Sequence, residues 1–263
     1  MRHFHNHIKL LLLCCGIFLT SFFWLAHDAH SAGDAKHPPD KIWSFEGMFG
    51  SYDKAALQRG FQVYEKVCST CHAMEHLYYR DLKKLGYSDE EVKAIAAQHM
   101  VTDGPDDTGE MFERPAKPSD RFASPYKNDA QARYLNNGAL PPDLSLIVNA
   151  RHGGADYIHA LLTGYKDAPE SINIREGLYY NPYFPGKQLA MAPPLVVKDQ
   201  VEYADGTTAS IEQMSKDVTY FLQWASNPHM ESRKRLGLAT CLFLIVFSGL
   251  MYGVKKKIWK DLH

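Results

Sequence analysis

Cys68-Ser69-Thr70-Cys71-His72 sets two thiols three positions apart, with an imidazole directly after the second. This is the spacing of a c-type haem attachment site. Each thiol can add across a vinyl group of the porphyrin, and the histidine then lies under the ring as an iron ligand. The two-residue spacer puts both sulfurs on one side of a helical turn. Two other chemistries use part of the pattern. Cys-x-x-Cys is half of many zinc sites, and an exported thiol oxidant uses the same pair as its redox centre. The remaining cysteines weigh against both rivals. Cys14 and Cys15 lie in an N-terminal apolar run, and Cys241 lies in a C-terminal one. No second Cys or His pair at ligand spacing completes a zinc site, and no pair is left for a disulfide framework.

The two ends of the chain place the motif in a compartment. Arg2 and Lys9, with His3, His5 and His7, precede the apolar stretch Leu10 to Leu25, and small residues follow up to Ser31 and Ala32. Residues 1–32 therefore read as a secretory signal peptide. Leu236 to Val254 is a run of 19 residues without a charge. As a helix it spans about 28 Å, close to the hydrocarbon thickness of a bilayer. Arg233, Lys234 and Arg235 precede it, and Lys255, Lys256, Lys257, Trp259 and Lys260 follow. Both flanks are basic, so the signal peptide sets the orientation. The expected order is an exported haem domain over 33–231, a transmembrane anchor over 232–258 and a cytoplasmic tail over 259–263. For a bacterial chain that means a single pass of the inner membrane, with the haem domain on the periplasmic side.

The whole chain carries a formal charge of −1, but residues 33–231 hold 28 acidic against 20 basic side chains, a net −8. An acidic exported domain attracts basic partners and repels nucleic acid. Acidic residues are densest at Asp103, Asp106, Asp107, Glu110 and Glu113, which read either as a solvated loop or as a docking surface. Helical periodicity predicts helices over Lys54–Val67 (capped by Asp53), Ser88–Gln98, Asn128–Asn136, Gly154–Thr163 and Ile211–Ala225. Strand signals are weak. Asp103–Lys127 and Lys166–Lys198 read as long proline-rich loops, which in a domain of this size usually wrap something. The segments read as a mostly α domain with long loops, plus one C-terminal transmembrane helix.

A low-spin electron carrier needs a sixth iron ligand, usually Met or His. Met74 follows His72 too closely to reach the opposite ring face, and Met214 lies on an apolar helical stripe that reads as core. Met100 and Met111 lie in or near the acidic loop and remain open. Met191 sits in Phe184-Pro185-Gly186-Lys187-Gln188-Leu189-Ala190-Met191-Ala192-Pro193-Pro194, a constrained loop able to hold a thioether without a helix. His76, His99, His152 and His159 are the bis-histidine alternatives. Haem propionates need cationic or hydroxyl partners, for which Arg151 and Tyr157 are candidates.

From about Trp43 to Trp259 the chain resembles the cytochrome c1 family, the haem subunit of ubiquinol–cytochrome c oxidoreductase. The resemblance rests on Val67 to Met74, Asn136-Asn137-Gly138-Ala139-Leu140-Pro141-Pro142-Asp143-Leu144-Ser145, Ala150-Arg151-His152-Gly153-Gly154 with Asp156-Tyr157, Leu162-Thr163-Gly164-Tyr165, Asn181 to Gly186, Met191-Ala192-Pro193-Pro194 and Arg233 to Leu238, in that order. It implies one haem c bound covalently to Cys68 and Cys71, with His72 and Met191 as the axial metal ligands. It implies Arg151 and Tyr157 near a propionate, with Asn136, Pro141 and Pro142 lining the pocket, and a fold class that is mostly α: a cytochrome c-like haem domain with long loops, plus one C-terminal transmembrane helix. Lys127 stands where the family often has proline, and Lys187 adds a charge beside the ligand loop. The implied role is electron transfer from a Rieske iron–sulfur protein to cytochrome c, beside cytochrome b, in a dimeric complex. On that reading the chain alone is not an enzyme and no residue is catalytic. An enzymatic rival, a haem peroxidase, would need an open sixth position and distal acid–base groups.

Overall fold

The computed structural model describes residues 35–260. The expected signal peptide lies outside the described residues, as does the end of the expected tail. Six α-helices carry the described chain: α1 Lys54–Lys66, α2 Asp89–Ala97, α3 Asp129–Leu135, α4 Gly154–Thr163, α5 Ile211–Ser226 and α6 Met230–Ile258. Each helix predicted from periodicity forms, within a residue or two of its expected ends, and the caps explain the boundaries. Asp53 accepts the N–H groups of Ala55 and Ala56 at 3.0 and 3.2 Å. Ser88 and Glu91 form a reciprocal capping box on α2, while Asn128 and Ser210 start α3 and α5. α4 has no side-chain cap. It begins from the Arg151–Gly154 turn, where Gly153 sits at φ 82°, a conformation only glycine adopts freely.

The core is built on the crossing of α1 and α5. α1 buries Ala56, Leu57, Phe61, Val63 and Tyr64, and α5 buries Met214, Val218, Phe221, Leu222 and Trp224. Gly60 permits the close approach: a Cβ there would lie 2.0 Å from the Asp217 carbonyl oxygen and 2.8 Å from Phe221 Cβ. Aromatic rings fill the layer around the crossing. Phe61 meets Phe221 edge-on at 5.6 Å, and Tyr79 stacks on Phe122 at 4.8 Å. Met74 and Met214 are both fully buried, which agrees with core packing for Met214.

Further elements lie outside the predicted helices. A 310 helix covers Tyr79–Leu85, and its buried residues Tyr79, Leu82 and Leu85 follow the three-residue period of that helix. An antiparallel hairpin pairs β1 Met100–Asp103 with β2 Phe112–Pro115, where a loop was expected. Its inward positions include Arg114, which is ion-paired to both Asp103 and Asp120. A charged inward residue removes the alternation that marks a strand. A second short pair, β3 Tyr179–Tyr180 with β4 Gln188–Leu189, closes the segment that leads to Met191.

α6 runs 29 residues with mean hydropathy 2.0 in its apolar window, and none of that window is buried. At about 1.5 Å per residue it is about 43 Å long, enough to cross a bilayer with its ends in the headgroup layers.

Candidate haem centre

The Cys68–Thr70 turn continues directly from the C-terminus of α1. His72 N–H and Cys71 N–H both donate to the Cys68 carbonyl, at 2.9 and 3.1 Å. The two residues between the cysteines tie the turn down with their hydroxyls: Ser69 to the Glu65 carbonyl at 2.6 Å and Thr70 to the Val67 carbonyl at 2.7 Å. Both thiols are free and half-buried. Burial pushes the Cys68 thiol up to about 12, with Cys71 adding to the effect. A thiol oxidant needs the opposite shift, toward a stable thiolate.

His72 is fixed from its far side. Its Nδ1 lies 2.8 Å from the Pro142 carbonyl oxygen. A carbonyl can only accept, so Nδ1 carries the proton and Nε2 keeps its lone pair for a metal. Burial lowers the His72 pKa, against smaller opposing effects of the Pro142 bond and Asp143, which favours the neutral ligating form. The segment that supplies this carbonyl is stitched to the motif. Leu144 N–H donates to the Ala73 carbonyl at 2.9 Å, Glu75 N–H to Asp143 at 2.7 Å, and His76 N–H to Ser145 Oγ at 3.0 Å. Pro142 is therefore brought to the motif through its backbone rather than its ring. Asn136 is not joined to His72 by any hydrogen bond. Its side-chain amide donates to the Tyr126 hydroxyl at 2.9 Å and the Ala132 carbonyl at 2.7 Å, at the end of α3.

Met191 is held by the C-terminal end of α4. The Tyr165 hydroxyl donates to the Met191 carbonyl at 3.0 Å. Upstream, the buried Asn181 donates to the Leu161 carbonyl at 2.7 Å and accepts the Tyr183 N–H at 3.1 Å. Gly164 lets the Tyr183 ring lie against the helix end, since a Cβ there would fall 2.6 Å from Tyr183 Cδ2. Downstream, Gln200 holds the Pro194 carbonyl at 2.8 Å. Of the other methionines considered, Met100 and Met111 are exposed on the hairpin. Among the histidine alternatives, His159 is buried against Trp43 and His99 stacks on Tyr79, while His76 and His152 are exposed.

Tyr157 is buried and Arg151 exposed. Burial raises the Tyr157 phenol, and the Arg151 charge opposes the rise. Burial also raises Tyr165, and Tyr157 adds to that. The Arg151 charge thus acts on Tyr157 and Tyr157 on Tyr165, whose hydroxyl holds the Met191 carbonyl. One Arg151 N–H goes to the Ala150 carbonyl at 3.1 Å, leaving donors of the guanidinium fork for a carboxylate. A separate cleft of about 160 Å³ lies behind the turn, lined by residues that include Tyr64, Ser69, Tyr79 and His99. It contains neither His72 nor Met191. Tyr165 and the Pro142 carbonyl escaped sequence reasoning, because a hydrogen bond to backbone leaves no residue-type signature.

Removal of the Tyr165 hydroxyl, as Tyr165→Phe, is expected to loosen the Met191 loop by about 1 kcal/mol, the net value of one hydrogen bond. With Met191 as the iron ligand, the fraction of reduced holoprotein that binds carbon monoxide would rise about fivefold. Binding at the parent level would show that the bond does not restrain the loop.

Paired thiols on one turn and a histidine whose outer nitrogen is occupied by a carbonyl fit the attachment site of a c-type haem. A mostly helical body bearing that site above a membrane-length helix belongs to the class of membrane-anchored c-type cytochromes. Comparison with known proteins narrows the class. The model of the cytochrome C1 family matches residues 43–262. Cytochrome c1 of Rhodospirillum rubrum is 42% identical, over 97% of both chains. A mitochondrial cytochrome c1 heme protein of Arabidopsis thaliana is 54% identical, over 79% of this chain and 68% of its own. Cytochrome b/c1 of Bradyrhizobium diazoefficiens is 44% identical over 97% of this chain, which spans only 40% of that longer protein. The chain belongs to the cytochrome c1 family.

Proposed function

We propose that the chain carries one haem c on Cys68 and Cys71, with His72 Nε2 and the Met191 thioether as axial ligands. We further propose that it passes electrons from a Rieske iron–sulfur protein to a cytochrome c, beside cytochrome b in a dimeric quinol-oxidising complex. The bound group supplies reversible one-electron chemistry. The observation that carries the reading is the His72 Nδ1 bond to the Pro142 carbonyl, which leaves Nε2 as the ligating nitrogen. Arg151 and Tyr157 meet the propionates, and Pro141, Pro142 and Asn136 border the pocket. Met191 supplies the thioether that favours a high potential, as an acceptor downstream of quinol oxidation requires. In this reading residues 33–231 form the domain on the periplasmic side of a bacterial inner membrane, 1–32 are removed on export, and 259–263 remain in the cytoplasm.

The hairpin offers the surface for the acceptor. Asp103 is neutralised by Arg114, and the Asp106 carboxylate accepts Thr108 and Glu110 N–H groups, while Asp107, Glu110 and Glu113 lie exposed at the tip and on β2. The reduced holoprotein should therefore transfer its electron to a basic cytochrome c at a rate that falls as salt rises through the range where the Debye length shrinks to about 8 Å. Stopped-flow mixing measures this. A rate indifferent to ionic strength would contradict electrostatic docking at the hairpin.

A further inference from the structure

The loop Glu46–Gly50 presents two large apolar side chains to the outside, with Met48 67% and Phe49 82% exposed. It is not a loose segment. Its base is closed by Ser51 N–H to the Ser44 carbonyl at 2.9 Å and Ser44 Oγ to the Ser51 carbonyl at 2.8 Å. Trp43 and Phe45 on its leading side are buried in the core. The loop is also fastened to the first turns of α6. The Lys234 ammonium donates to the Phe45 carbonyl at 2.7 Å and the Gly50 carbonyl at 3.2 Å, and Tyr52 N–H donates to Glu231 at 2.7 Å. The uncharged run of α6 begins at Leu236, two residues past Lys234 and so about 3 Å further along the helix axis. The loop is thus locked at the level where the anchor enters lipid. Arg233 and Arg235 flank it with charge suited to anionic headgroups.

We propose that Glu46–Gly50 is a second membrane contact, with Met48 and Phe49 seated in the headgroup–acyl boundary of the bilayer that α6 crosses. The occupant is lipid because the loop is continuous with the membrane-spanning surface. Its composition, apolar side chains beside a basic flank, is that of an interfacial anchor. Two fixed points, helix and loop, would restrict how the haem domain tilts over the membrane. The inference rests on α6 spanning a bilayer.

The test places the photo-crosslinking residue p-benzoylphenylalanine at position 49 of the full haem-loaded chain, in native membranes and in phosphatidylethanolamine–phosphatidylglycerol vesicles. Position 48 serves as the second variant should 49 impair folding, which retention of the parent haem spectrum checks. Position 108, at the exposed hairpin tip, is the aqueous control, and position 244 in α6 is the membrane control. Lipid adducts at 49 or 48 severalfold above those at 108 are expected. No adduct, or adducts only to another subunit in native membranes, overturns the proposal if position 244 labels lipid. Failure of position 244 to label any membrane component overturns the anchor reading instead, and the proposal with it.

Discussion

Met191→Leu is expected to leave haem covalently attached while lowering its midpoint potential by a sizeable part of the roughly 0.8 V range that axial ligation spans. Leucine matches methionine in volume, so the clamped loop should keep its shape. The proposed thioether ligand is lost, and with it the sulfur that favours the ferrous state. The loop reaches Met191 under restraint from Tyr165 on the Met191 carbonyl and Gln200 on the Pro194 carbonyl, both backbone bonds that leucine preserves. The change therefore isolates the sulfur. Redox titration of the solubilised holoprotein, followed in the visible band, gives the potential, and carbon monoxide binding to the reduced form reports the opened position. A variant with the parent potential and the parent resistance to carbon monoxide would mean that another side chain holds the iron.

Asp217→Ala is expected to destabilise the domain by about 3 kcal/mol, the lower end for breaking a buried ion pair by removing one partner. Asp217 is fully buried on α5 and holds Arg59 of α1 in a fork, Nε to Oδ2 at 2.9 Å and Nη2 to Oδ1 at 3.1 Å, while Gln213 donates to Oδ2 at 2.9 Å. The pair spans the same crossing at which Gly60 touches the Asp217 carbonyl. Removing the carboxylate leaves a mostly covered guanidinium with Asp205 as its remaining carboxylate partner, on its exposed side. That residual partner is why the expected value is not larger. For a domain of this size the midpoint of thermal unfolding should fall by roughly 6–12 °C. Asp217→Asn, which keeps one acceptor, should cost less. A fall below about 1 kcal/mol would show that the crossing is held by apolar packing and not by the pair.

Periodicity made α1 to α5 legible because each buries one face, and four of them start at a residue whose side chain caps the helix, as Asp53 does for α1 and Ser88 for α2. The hairpin was not legible. Val101 and Arg114 face each other across it, and an inward arginine satisfied by Asp103 and Asp120 breaks the alternating pattern of a half-buried strand. The 310 helix at Tyr79–Leu85 hid for a different reason: its three-residue spacing of Tyr79, Leu82 and Leu85 overlaps a helical period over so short a run. At the site, Cys68, Cys71 and His72 announce themselves by spacing. The prolines and glycine around Met191 single out its loop as a candidate, and the helical stripe reads Met214 as core, which its full burial supports. What no spacing shows is the support behind the candidate ligands. The Pro142 carbonyl on His72 and the Tyr165 hydroxyl on the Met191 carbonyl join segments distant in the chain through backbone atoms.

The most direct measurement is the visible spectrum of the chain purified from a host competent for haem attachment, read as the alkaline pyridine haemochrome and paired with the mass of the peptide spanning Cys68 and Cys71. The account requires the spectrum of a porphyrin with both vinyl groups saturated, and one haem of added mass on that peptide. A colourless protein, or a peptide carrying two free thiols or a disulfide, would contradict it.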